Sequence, residues 1–320
     1  MNSKSIIYGS LALVFLLSAC KKDNSISDFN IIDLGTAADL RCILVQNDSL
    51  IIGGGNTDEL GFLAVYNSKN ETVSLVSDHI DYPVYASAKF GGKFYFGLTE
   101  FRMLVSDSLP KLFDYSFGER DWIIELNHQP FRQMLVSENG FLAILGGKLS
   151  FGAIFQSYDG AQTWSPIEYD HDFRCIAQNG NQLWVGGNGA LLHTTFGDTV
   201  WNQVELDNRF IVGLHFSSEN EGVAVCYEGE QLRTTDGGQT WKQTDKKRGV
   251  FVQKMLSLDQ RLLVLCSDGV VGVSENDGSS FKWIQLSEMG DLHDAVIVNN
   301  QYYIATENGN LIQISAEVLK

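Results

Sequence analysis

The chain has 320 residues, 44% of them hydrophobic. It can therefore bury a full core as one large domain or two ordinary ones, which excludes a wholly disordered polymer. A formal net charge of −16 argues against DNA, RNA or an anionic membrane surface as the main partner, because like charges repel before any contact forms. There are 31 glycines against 4 prolines, and long helical periodicity is scarce. Short apolar runs separated by Gly, Asn, Asp and Ser predict an all-β chain with many turns.

The N-terminus is set apart from the fold. It carries a positive charge at Lys4, an apolar run from Ile6 to Leu17, and then Leu17-Ser18-Ala19-Cys20. The run is too short for a permanent bilayer-spanning helix. The last four residues resemble the lipobox of bacterial lipoproteins at every position. That resemblance implies a signal peptide over 1–19 and a mature chain that begins at Cys20, lipidated there, with a polar tether over 20–27. Lys21, where an inner-membrane retention signal has Asp, implies the outer membrane. A plain secretory signal with an incidental cysteine is the alternative.

From residue 28 onward the chain repeats. Seven times an apolar run meets a polar turn and continues into a second apolar run, marked by Ile51, Phe94, Leu142, Leu183, Val223, Leu262 and Tyr302. The markers are 43, 48, 41, 40, 39 and 40 residues apart. Four short strands per unit of about 40 residues is the pattern of a β-propeller blade. The expectation is a seven-bladed β-propeller over 28–320. Its last unit ends a strand early, and 28–34 (DFNIIDL) is predicted to complete it by pairing with 310–315.

Inside the units lie SYDGAQTW (157–164), TTDGGQTW (234–241), SENDGSSFKW (274–283) and the worn TTFGDTVW (194–201); their tryptophans are 37, 40 and 42 residues apart. Ser157, Asp159, Gly160, Trp164, Thr234, Asp236, Gly238 and Trp241, with Asp277 and Trp283 in a copy lengthened by two residues, resemble the Asp-box, or bacterial neuraminidase repeat. A short carboxylate accepting turn N–H groups, a glycine at positive φ and a tryptophan packed onto the sheet account for these residue types as a hairpin brace rather than a catalytic site. The stretch GVAVCYEGEQLRTTDGGQTW (222–241) most resembles the photosystem II assembly factor-like family of Asp-box propellers, well over 130–285 and elsewhere by period alone. Sialidases share the box, but their Arg-Ile-Pro motif is missing here.

Cys42, Cys175, Cys226 and Cys266 sit in apolar strand-like runs, read as buried thiols, with a Cys226–Cys266 bridge conceivable from their matching places. The histidines show no metal-ligand spacing, and no cofactor is expected.

Nine or ten residues before each marker stand Arg41, Tyr85, Arg132, Arg174, Gly213, Gln253 and His293, with Lys254 next to Gln253. In a ring of repeats these positions converge on one mouth of the central channel, and Arg forks suit carboxylates or phosphates. The insertion 115–130, with Trp122, is expected over the same mouth, as a partner anchor or a channel plug. The reading is a non-enzymatic binding or assembly module for a protein partner or an anionic or glycan ligand. Two alternatives stand beside it. The rim charges could pair only with neighbours such as Asp172 and Asp294, or the chain could be a glycosidase using Glu119, Asp121, Glu125 or Asp294.

Overall fold

The computed structural model describes residues 24–57, 59–99, 102–114, 130–137, 140–146, 152–286 and 289–319. Cys20 and the insertion residues Glu119, Asp121, Trp122 and Glu125 lie outside the described residues. Within them the chain is built from short strands in antiparallel meanders, which we label by sheet: A (40–80), B (86–114), C (131–169), D (173–203), E (211–246), F (252–286) and G (292–315).

Six sheets have four strands, one fewer than the seven four-stranded units expected. Sheet F has five, because Asn24–Ile26 adds in parallel to its outer strand Lys282–Leu286. Asn30–Asp33 then runs antiparallel to Asn310–Ser315, pairing Asn30 with Gln313 and Asp33 with Asn310. That strand supplies the one the last unit lacks, so two N-terminal segments cover two outer edges that would otherwise carry unpaired N–H and C=O groups.

The alternation of burial explains the stacking. Second strands such as Ser49–Gly55 and Gln301–Thr306 are buried along almost their whole length, whereas the outer strand Lys242–Lys246 is largely exposed. A sheet apolar on both faces near its inner edge must be sandwiched, and each hydrophobic cluster lies between successive sheets. Leu63, Phe94 and Phe96 fill A against B, and Tyr302 and Ile304 of G meet Leu263 and Ile284 of F. Tyr303 and Ala305 of G pack with Ile52 and Ala64 of A. The innermost strands contact one another in the same closed cycle. Side chains pin neighbours across it: the Ile43 N–H donates to Asp294 Oδ2 at 3.0 Å, and the Ile176 N–H to Gln133 Oε1 at 3.0 Å.

The hairpins between third and fourth strands explain the repeated short motif. Thr234 Oγ1 donates to Asp236 Oδ1 at 2.8 Å and accepts from the Gly238 N–H at 2.8 Å, while Asp236 Oδ1 accepts the Thr240 N–H at 2.9 Å. Ser157, Asp159, Ala161 and Thr163 repeat these bonds, with Ala161 at φ 63° where the other copies have glycine. In the third copy the acceptor is Asn276, which takes the Ser280 N–H at 3.0 Å; Asp277, expected in that role, sits instead at the left-handed turn position with φ 53°. The inserted residues fall after the turn, so counting from Ser274 rather than from the Asp-Gly pair gives the right register. The turn leans on the preceding sheet: a Cβ on Gly238 would lie 2.3 Å from Trp184 Cη2 of sheet D. Trp164 and Trp201 are buried, but Trp241 is only half-buried, its Nε1 donating to the Gly238 carbonyl at 2.9 Å.

Two outcomes follow. The Thr163 and Thr240 hydroxyls and N–H groups hold the Asp159 and Asp236 carboxyls down at about 2, against an ordinary 3.8. A depressed folded-state value stabilises the fold above pH 4 and is lost as pH falls from about 4 to 2. Urea unfolding of the Asp159→Asn, Asp236→Asn double variant is expected to show a shallower loss of stability across that window; an unchanged pH profile would count against the brace. Deleting residues 24–33 should uncover the outer strands of sheets F and G and produce aggregation or a large fall in Tm by scanning calorimetry. An unchanged Tm would contradict closure by these strands.

Candidate functional site

The site begins with a backbone irregularity. In the innermost strands of sheets A, C, D, E, F and G the register slips by one residue at the start, between Leu40/Cys42, Phe131/Gln133, Phe173/Cys175, Ile211/Gly213, Val252/Lys254 and Leu292/Asp294. The residue before each slip is buried in the core, and the one at the slip is a β-bulge that re-aims its side chain. The bulged residues are Arg41, Arg132, Arg174, Val212, Gln253 and His293. Sheet B has no such slip; Tyr85 precedes its first strand and its N–H donates to the Gly97 carbonyl at 2.9 Å.

Arg41, Tyr85, Arg132, Arg174, Gln253, Lys254 and His293 together line one cavity of about 110 Å³. The repeat spacing thus brings the predicted rim residues to a single mouth. Gly213 is the exception: the slip places Val212 at that position, and Gly213 turns its α-carbon toward Met255, whose Cβ would lie 2.4 Å from an added Cβ. Trp122 lies outside the described residues, as does Cys20.

The charges are mostly answered nearby. Arg41 Nη2 reaches Asp39 at 2.8 Å and its Nε donates to the Gly55 carbonyl at 2.7 Å. Arg174 places Nε and Nη2 on Asp172 Oδ2 at 3.1 and 2.6 Å, and Lys254 Nζ sits 2.7 Å from Asp294. These three cations are therefore paired with neighbouring carboxylates, although each still lines the shared cavity. Arg132 differs. The residue two before Arg41 is Asp39 and two before Arg174 is Asp172, but two before Arg132 is Pro130, which offers no carboxylate. Arg132 Nε is sealed from solvent with no hydrogen-bond partner among the described residues. Burial, reinforced by the Arg174 charge, pushes its guanidinium down to about 9, still a cation at neutral pH.

Aromatic faces complete the wall. The guanidinium carbons of Arg41 and Arg132 lie 4.6 and 5.8 Å from the Tyr85 ring centroid, and that of Arg174 lies 5.2 Å from Phe210. His293 Nε2 is also sealed and without a partner among the described residues; burial holds this imidazole at about 4, hence neutral at pH 7. Among the described residues three carboxylates answer Arg41, Arg174 and Lys254, and none pairs with Arg132. Sequence reasoning missed Asp39, and with it the contrast with Pro130, although the position two before each arginine carried that signal.

A wider cavity of about 400 Å³ lies beside Trp184, His193 and Asp236 on the hairpin side, but Asp236 is already committed to its own turn. Among the described residues no set of His, Cys, Asp and Glu comes together as metal ligands. The four described cysteines are free and buried, so the conceivable Cys226–Cys266 bridge is absent, and burial pushes both thiols up to about 12.

No protein-family model matches the chain, and no curated protein matches it in sequence. Solved structures do. A structure of YCF48 bound to D1 peptide is 13% identical over 91% of this chain and 99% of its own, with a TM-score of 0.68. YCF48 from Cyanidioschyzon merolae is 12% identical over 90% and 99%, with a TM-score of 0.66. The extracellular domain of the putative one-component system BT4673 from B. thetaiotaomicron is 16% identical over 89% of this chain and 39% of its own, at 0.67. The chain has a β-propeller fold. At these identities the likeness carries the architecture and no more.

The different bracketing of the arginines predicts opposite effects on stability. Arg174→Met leaves the buried Asp172 carboxylate without its partner and should cost roughly 1–3 kcal/mol. Arg132→Met removes a guanidinium that forms no ion pair among the described residues, and should leave Tm unchanged or raise it by up to about 4 °C. Paired thermal unfolding checks this; an Arg132→Met loss as large as that of Arg174→Met would contradict the assignment.

Proposed function

We propose that this propeller is a non-enzymatic binding module that holds an anionic group of a protein partner at the arginine-lined mouth. The observation that carries the reading is Arg132, whose Nε is sealed from solvent and unpartnered and which has no carboxylate partner among the described residues, in a cavity also lined by Arg41, Arg174 and Lys254. A carboxylate entering there would gain charge-assisted hydrogen bonds. The cavity, of about 110 Å³, has room for a carboxylate or another small head group. YCF48, which shares the fold, has been solved with a D1 peptide bound; a protein partner here is in keeping with that.

The glycosidase alternative has less support. Such chemistry calls for two carboxyl groups flanking the substrate, and among the described residues none of those lining the cavity is acidic. Asp294, one of the acids considered for that role, is engaged by Lys254 and two backbone N–H groups. The other three lie outside the described residues.

Our reading also includes a lipid anchor at Cys20 and an outer-membrane location. Asn24–Ile26 pairs on the outer edge of sheet F, so a tether ending there would leave the mouth open to a partner. Affinity capture from detergent-solubilised membranes, comparing the wild-type protein with Arg132→Met, tests both claims. The expected result is membrane-associated protein whose specific partner is lost in Arg132→Met and at raised salt, with Cys20→Ser released from the membrane fraction. Partners retained equally by Arg132→Met would overturn the mouth as the binding site, and membrane retention of Cys20→Ser would overturn the anchor.

A further inference from the structure

The residue just before each innermost strand differs around the ring in a way that shapes the mouth. It is Asp39, Asp172 and Asp291 in sheets A, D and G, but Phe210 and Phe251 in the adjacent sheets E and F. Three sheets supply an acceptor for a rim residue and three a ring, Tyr85 in sheet B and Phe210 and Phe251 in the adjacent sheets E and F. Tyr227, which follows the second strand of sheet E, lies between the last two. The Phe210 and Tyr227 centroids are 5.4 Å apart at 33°, and Tyr227 and Phe251 are 5.2 Å apart at 29°.

These rings form a continuous ledge that starts at the cavity, because the Arg174 guanidinium lies over Phe210 at 5.2 Å. The backbone fixes it: the Tyr227 N–H donates to Phe210 O and the Val252 N–H to Tyr227 O, both at 2.7 Å, and the Ser267 N–H donates to Phe251 O at 2.8 Å. A preordered surface of this kind loses little entropy on binding. Phe251, at its outer end, is 49% exposed. Beyond it a hollow of about 130 Å³ is lined by Lys247, Arg248 and Trp283. Lys247 Nζ lies 6.0 Å from the Trp283 ring centroid, on a chain whose net charge is −16.

We propose that this ledge is a second subsite, continuous with the arginine cavity, and that the partner is an acidic polypeptide segment lying across both. Its carboxylate meets Arg132, and an aromatic or large aliphatic side chain a few residues away packs on Phe210, Tyr227 and Phe251. The proposal rests on the anion-binding reading above and adds the chemical class of the partner. An extended chain advances about 3.3 Å per residue, so the ledge matches a spacing of about five residues or fewer. Cations at both ends favour acid flanking the apolar residue, which is the charge complement of this strip.

Titration calorimetry with synthetic heptapeptides tests it. One set carries a free C-terminal Asp and a single Phe placed two to five positions before it in a Gly/Ser background; the controls replace Phe by Ser, or Asp by Asn-amide. Oligogalacturonate serves as an anionic glycan probe. One Phe spacing should bind best, about tenfold tighter than its Ser counterpart. Phe251→Ser, a change at an exposed ring, should erase that tenfold difference while leaving the Ser peptide unaffected. Arg132→Met should weaken both acidic peptides. If Arg132→Met weakens them while neither the Phe nor Phe251 matters, the ledge proposal is overturned and the anion-binding reading stands. If no peptide depends on Arg132, both fail. Oligogalacturonate binding that depends on Phe251, without peptide binding, would also overturn the proposal.

Discussion

A one-residue slip at the start of the innermost strands is the constraint on which the site depends. A regular strand at those positions would alternate its side chains between the two faces of a sheet, and both faces are buried against neighbouring sheets. The slip frees one residue per strand from that alternation. In four of the six sheets that have it, the freed residue is Arg41, Arg132, Arg174 or His293, each directed toward the cavity. The closed packing of sheets then turns scattered sequence positions into one concave wall. Closure and site are therefore coupled: the cluster joining sheets G and A also sets how close Arg41 lies to His293.

Much of this was legible in the sequence because repeats convert spacing into geometry. The convergence of Arg41, Arg132, Arg174, Lys254 and His293 followed from counting back from the second-strand markers. Completion of the last unit by 28–34 followed from a missing strand. What spacing could not resolve were single-residue offsets. Gly213 and Val212 are neighbours, and only the bulge decides which of them takes the slipped position; Asn276 and Asp277 are neighbours, and only the turn register decides which accepts the hairpin N–H groups. The parallel addition of Asn24–Ile26 had no signal in a polar tether. Nor did spacing give the pairing state of the arginines, which for Arg41 and Arg174 depends on a carboxylate two residues earlier.

That pairing state turns a generic basic rim into a specific one. Cations bracketed by their own carboxylates build a rigid wall but offer little net attraction. Arg132, with Pro130 in place of the bracketing acid, keeps its charge for something else. A guanidinium whose Nε is sealed, with no carboxylate partner among the described residues, is unfavourable for the folded chain alone, so its presence in the wall of a shared cavity is the kind of local inconsistency found at functional sites. The aromatic substitution at Phe210 and Phe251 follows the same logic on the adjoining sector, where the acidic position gives way to apolar surface.

The central claim is that Arg132, which has no carboxylate partner among the described residues, is the cation of this mouth that meets an anion, and the most direct measurement is its own titration. Carbon-13 and nitrogen-15 NMR of arginine-labelled protein, with Arg132 assigned by comparison with Arg132→Met, follows the guanidinium across alkaline pH with and without an acidic peptide. The account predicts a midpoint near about 9 for Arg132, well below the ordinary 12.5, that rises when the carboxylate binds. A midpoint at the ordinary value, unmoved by an acidic peptide, would contradict it.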